Sequence, residues 1–144
     1  MENISSTKVA ILGFVGAVGA FISNLYGGWD AALTTLVIFM GIDYLTGLIV
    51  AGVFNNSGKS ENGALESRAG WKGLCKKGMT LLVVLVAVRL DMLAQSNVLK
   101  DGVVIAFVSN EALSIIENAG LMGLPIPNII KKAIEVLQKK GEGA

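Results

Sequence analysis

The chain has 144 residues, of which 53% are hydrophobic and only 16% charged, and its mean hydropathy is +0.64. Water-soluble domains carry about a quarter charged residues, and a chain this short has too little interior to hide so much apolar surface. The composition therefore excludes an ordinary soluble domain and makes lipid the natural solvent. A net charge of +1, no histidine and a single cysteine, Cys75, argue against a charge-driven nucleic-acid partner, a Cys/His metal site and an intramolecular disulfide.

The first predicted element is a span over residues 9–29, a run without charge that is long enough for the roughly 20 residues of a transmembrane helix. Lys8 precedes it and the small residues of "GAVGA" follow, a pattern that a signal peptide shares; we expect an uncleaved first span. Gly13, Ala17 and Ala20 share one face, as do Gly16, Ala20 and Asn24. Small residues four apart let helix backbones approach closely in lipid, within one chain or between copies.

Gly27, Gly28 and Asp30 give a turn, and a second span is predicted over residues 32–53 with Asp43 halfway along. Residues 55–78 read as a loop on the cytoplasmic side. "NNSGKSENG" opens it with turn-forming composition, and its later part has the makings of a short surface helix anchored by Trp71, Lys72, Lys76 and Lys77. A third span is predicted over residues 79–99, interrupted by Arg89 and Asp91, with a shorter buried or re-entrant segment as the alternative. A fourth follows over residues 103–121, carrying Glu111 and Glu117.

"GLPIPN" ends the fourth span, because each proline disfavours helix in the residue before it. An amphipathic helix is expected over residues 127–140, its isoleucines at helical spacing and Lys131 and Lys132 on the polar side, where anionic headgroups would hold them. Lysine and arginine are concentrated in the 55–78 loop, with five, and after Pro127, with four. Four spans put both regions on the side of the N-terminus, so both termini are expected in the cytoplasm of a multi-pass membrane protein.

On this register Asp43, Arg89 and Glu111 fall at similar depth, where lipid cannot solvate them; they should face other helices or water. Asp43, Thr46 and Gly47 share one helical face, and Glu111, Ser114 and Asn118 form a stripe on another. With Asp91 and Glu117 included, one cation, Arg89, faces four acids. Two readings stay open: Arg89 paired with one acid as packing glue, or a polar surface that lines water. Nothing in the chain forms an enzyme constellation, since the usual general base is missing and no phosphate-cradling loop or nucleophile elbow is present.

Three stretches together resemble a family: "DYLTGLIVA" from Asp43, "GWKGLCKKGMTLLVVLVAVRLD" from Gly70 and "SNEALSIIENAGLMGLPIPNIIKKAIEVL" from Ser109. They look like the holins of phages of Gram-positive bacteria, the type that includes the toxin-secretion holins of clostridia, and the resemblance covers roughly residues 32–138. The matching positions are Asp43, Thr46, Gly47, Gly70, Gly73, Lys76, Lys77, Asp91, Glu111, Ser114, Glu117, Asn118, Pro125 and Pro127; Arg89 is not among them. The resemblance implies an all-α protein of the bacterial inner membrane, with no cofactor, that partners itself. Its homo-oligomers open lesions through which an endolysin, or in some loci a large toxin, leaves the cytoplasm. A small ion or proton channel or transporter, and an antiholin-like regulator, are the rival expectations.

Overall fold

The structure is a computed structural model that describes residues 5–143, and those residues form five helices joined by turns. The chain divides into two compact units between Asp30 and Ala31. The first unit holds helix α1 (Ser6–Leu25). Ser5 caps it, its hydroxyl accepting the Thr7 amide at 3.3 Å, which satisfies one of the free amides of the first turn. At the other end Gly27 (φ 72°) and Gly28 (φ 104°) take up the left-handed backbone that stops the helix. Tyr26 and Trp29 stack edge to face just beyond. Gly13, Gly16, Ala17 and Ala20 are exposed on α1, as are Leu12, Phe14 and Phe21.

The second unit contains α2 (Ala31–Gly52), α3 (Ser67–Ala94), α4 (Val98–Leu121) and α5 (Asn128–Glu142). Helix α4 is the hub, packing against α2, α3 and α5. The Asn56 side-chain amide donates to the Leu121 carbonyl, so the C-terminal ends of α2 and α4 lie together and the two helices run parallel. Helix α3 runs the other way: Gly52 lies beside Leu65, and Tyr44 lies beside Gly70 and Gly73. Helix α5 folds back antiparallel on α4, bringing Gly141 against Ala106.

Leu33, Leu36, Met40 and Asp43 recur three and four apart along α2, and Val84, Ala87, Val88 and Asp91 do so along α3; with Val104 and Ile134 these form the buried seam. The outer faces are apolar instead of charged. Leu45, Leu82 and Val86 are each more than half exposed, while Asp43 is only 5% exposed. A water-soluble bundle distributes these groups the other way round. Among the described residues, α1 and α2 have the length and mean hydropathy of membrane-crossing helices.

The structure differs from the expected boundaries in the middle of the chain. Residues 67–78, expected as a short surface helix within the 55–78 loop, are instead the first turns of α3, a continuous helix of 28 residues and about 42 Å. The third element ends at Ala94 instead of near residue 99, because Gln95 turns left-handed (φ 54°). The chain then re-enters helix at Val98, five residues before the expected start of the fourth element. The reason is the Asp91 carboxylate. Expected inside the third span, it accepts hydrogen bonds from the Leu99 amide (3.2 Å), the Lys100 amide (2.7 Å) and the Ser96 hydroxyl (2.6 Å). It serves as the cap of α4 from the preceding helix, meeting that helix's free amides and its dipole.

Candidate functional site

Midway along α2, α3 and α4 a set of polar side chains meets inside the bundle. The Lys77 ammonium of α3 lies 2.7 Å from Asp43 Oδ2 of α2 and 2.5 Å from Glu111 Oε2 of α4. All three side chains are largely closed off, at 16%, 7% and 14% exposure respectively. One cation thus bridges two acids. At these distances the contacts are charge-assisted hydrogen bonds, the kind that offsets the cost of removing ions from water.

Asn118 of α4 completes the set. Its Nδ2 donates toward Asp43 Oδ1 (3.2 Å), the Asp43 carbonyl (3.3 Å) and Thr46 Oγ1 (2.9 Å). Two amide hydrogens serve three acceptors, so at least one bond is shared. The Thr46 hydroxyl in turn donates back along α2 to the Ile42 carbonyl at 2.8 Å, and Ser114 also faces the Asp43 carboxylate. Gly47 lies at the contact of α2 with α4, where a Cβ would be in ordinary contact with Asn118 Nδ2 at 3.8 Å. Gly70 makes the tighter approach, since a Cβ there would lie 3.3 Å from the Tyr44 hydroxyl, while one at Gly73 would meet the Tyr44 ring at an ordinary 3.7 Å.

The triad forms one wall of a cavity of about 500 Å³ between α2, α3 and the 53–66 segment, which Lys59, Lys72 and Lys76 also line. The arrangement offers a charged, hydrogen-bonded surface that is folded inward.

The structure thus brings the two sequence stripes, Asp43–Thr46–Gly47 and Glu111–Ser114–Asn118, against each other. It does not bring Arg89 to them. Arg89 is exposed, and its guanidinium donates to Met92 Sδ at 3.4 Å. A span over residues 79–99 centres on Arg89, whereas the midpoint of Ser67–Ala94 falls between Thr80 and Leu81, close to Lys77. Lys77, expected as a surface anchor, is the interior cation that sequence reasoning missed. The signal was available in the absence of any proline between Ser67 and Ala94, which allows one unbroken helix.

Glu117 lies away from the triad. It is exposed and lines a second cleft, between α4 and α5, with Lys131 and Glu135. Trp71, Lys72, Lys76, Lys131 and Lys132 are all exposed.

The model of the bacteriophage holin family matches residues 20–139. A 14.9 kDa uncharacterised protein encoded in the nagH 3′ region of Clostridium perfringens is 38% identical, covering 97% of this chain and 99% of its own. An uncharacterised protein of Halalkalibacterium halodurans is 36% identical over 96% of both chains. The probable holin of Bacillus phage phi105 is 32% identical over 76% of both. No solved structure matches.

Proposed function

The chain belongs to the bacteriophage holin family, a non-enzymatic family of membrane proteins, and on that premise we propose how it works. It accumulates in the cytoplasmic membrane as small closed bundles with both termini in the cytoplasm, and α1 to α4 become four spans. The copies then oligomerise into lesions wide enough for an endolysin, or a large toxin, to pass. The observation that carries this reading is the inverted polarity of the second unit: Asp43, Lys77, Glu111 and Asn118 are inside, while Leu45, Leu82 and Val86 are outside.

The physical logic is a balance between two settings for one polar face. In the closed bundle Lys77 neutralises part of the charge of Asp43 and Glu111, and Asn118 donates to the second carboxylate oxygen of Asp43. The desolvation of three ionic groups still weighs against this state. When copies meet, the same face can line water, where the ions regain hydration and the outer leucines keep their lipid contact. Assembly is thereby favoured by concentration and delayed by the closed network. The small-residue face of α1, with Gly13, Gly16, Ala17 and Ala20, is a surface on which copies pack in this account.

The test is induced expression without endolysin, following membrane potential and the escape of a folded cytoplasmic reporter protein. Sudden loss of both is expected, and Asp43→Asn should shift its timing. A second reading, a small ion channel or transporter, is favoured by the triad's place on the wall of a cavity of about 500 Å³. It predicts conductance or flux with the reporter retained. An unchanged time course for Asp43→Asn would remove Asp43 from the mechanism.

A further inference from the structure

Helix α5 poses a problem for any state in which α4 crosses a bilayer. It lies antiparallel along α4 from the Gly120–Ile126 end to Ala106, covering about 22 Å. Gly141 eases this: a Cβ there would be 3.2 Å from the Ala106 backbone nitrogen and 3.3 Å from its Cα, so any side chain at 141 requires the helices to give by a few tenths of an ångström. Ile134 is the buried residue of α5, while Lys131, Lys132, Lys139 and Lys140 are all exposed.

A helix docked in this way goes wherever α4 goes. If α4 spans, α5 carries four lysines, Glu135 and Glu142 into the hydrocarbon with their charges facing out. Each charge at mid-bilayer lowers the insertion equilibrium on the order of a hundredfold. Docking of α5 and spanning by α4 therefore exclude each other. The same helix has a second possible home: its isoleucines and leucine along one side and four lysines on the other suit the surface of an anionic bilayer. Ile129 and Val136, which docking leaves 76% and 65% exposed, add to the apolar surface available to lipid.

We propose that α5 is a strap with two alternative partners, the Ala106–Gly120 face of α4 and the headgroup region of an anionic leaflet. Docked on α4, it holds that helix out of the membrane core. Transferred to the lipid surface, it frees α4 to span. This deepens the holin reading and rests on it for the spanning of α4, but the exchange of partners is measured separately from lysis.

The experiment uses the full chain with Cys75→Ser, Ala106→Cys and Gly141→Cys. The Cβ positions of 106 and 141 are 3.4 Å apart, within a few tenths of an ångström of the roughly 3.5–4.5 Å that a disulfide spans. Disulfide formation is timed in vesicles of phosphatidylcholine alone and in vesicles half phosphatidylglycerol. Closure at least about tenfold slower on the anionic vesicles is expected, with the difference lost at about 1 M salt, where screening shortens to a few ångströms, and lost when the four lysines are replaced by glutamine. Equal rates on both vesicles, or no closure on either, would overturn the strap.

Because a cysteine at 141 crowds Ala106, a second variant leaves the contact untouched: Cys75→Ser with Ile129→Cys, labelled with an environment-sensitive NBD group. Its fluorescence should rise severalfold on anionic vesicles only; no rise would also overturn the proposal. Release of an encapsulated protein is recorded in parallel with the reduced pair. Absence of release beside lipid-dependent closure would reject the lesion reading and leave the strap standing.

Discussion

Replacing Lys77 by methionine keeps the length and the apolar stem of the side chain and deletes its charge. At 2.7 Å and an effective dielectric of about 20, each ammonium–carboxylate contact carries about 6 kcal/mol of Coulomb attraction, much of it offset by desolvation. Deleting one member of a buried pair leaves the other charge uncompensated and costs about 3–5 kcal/mol. Lys77 serves two acids that are 7% and 14% exposed, so we expect Lys77→Met at the upper end of that range. The loss is read as a reduced unfolding free energy in detergent, by denaturant titration followed by circular dichroism. Adding Asp43→Asn and Glu111→Gln should recover most of it, since the stranded charges are then gone. In cells the single variant should lyse early, because the closed form is what it weakens. A Lys77→Met protein with wild-type stability and wild-type timing would refute the claim that this cation holds the bundle shut.

Asn118→Leu removes the donor shared by Asp43 and Thr46 and should cost about 1–3 kcal/mol in the same titration, the penalty of leaving buried acceptors unpaired. Asp91→Ala uncaps α4 and should cost about 1–2 kcal/mol, with faster hydrogen exchange at the amides of Leu99 and Lys100 as its local signature. Arg89→Gln should stay within about 0.5 kcal/mol of wild type, because the position is exposed and its guanidinium donates to a weak acceptor, Met92 Sδ, on the same helix. A large loss there would restore Arg89 as the interior cation and displace Lys77.

The helical stripes were legible because helical periodicity is a local property. Asp43, Thr46 and Gly47, or Glu111, Ser114 and Asn118, are set on one face by 3.6 residues per turn, whatever they pack against. Which cation meets them was not legible from local pattern, since it depends on where α3 begins. Counting apolar residues located its start at Met79, yet the helix starts at Ser67, because Lys77 turns inward to Asp43 and Glu111 while Lys72 and Lys76 stay exposed. Asp91 was misplaced for a related reason. A capping carboxylate and an intramembrane one look alike in sequence, and they separate only once the turn at Gln95 brings Ser96, Leu99 and Lys100 back over it. The position of α5 was the least legible element. Its amphipathic pattern fits a lipid surface and a neighbouring helix equally well, and the close approach at Gly141 depends on a residue 35 positions earlier in the chain, at Ala106.

The central claim, that this chain opens the cytoplasmic membrane to proteins, is tested most directly by inducing it in a bacterium without other holins, with and without a cytoplasmic endolysin. Culture density and the escape of a folded reporter are followed together. The account predicts abrupt lysis only when the endolysin is present, with reporter escape in both cultures. Continued growth with the membrane potential intact and the reporter retained would contradict it.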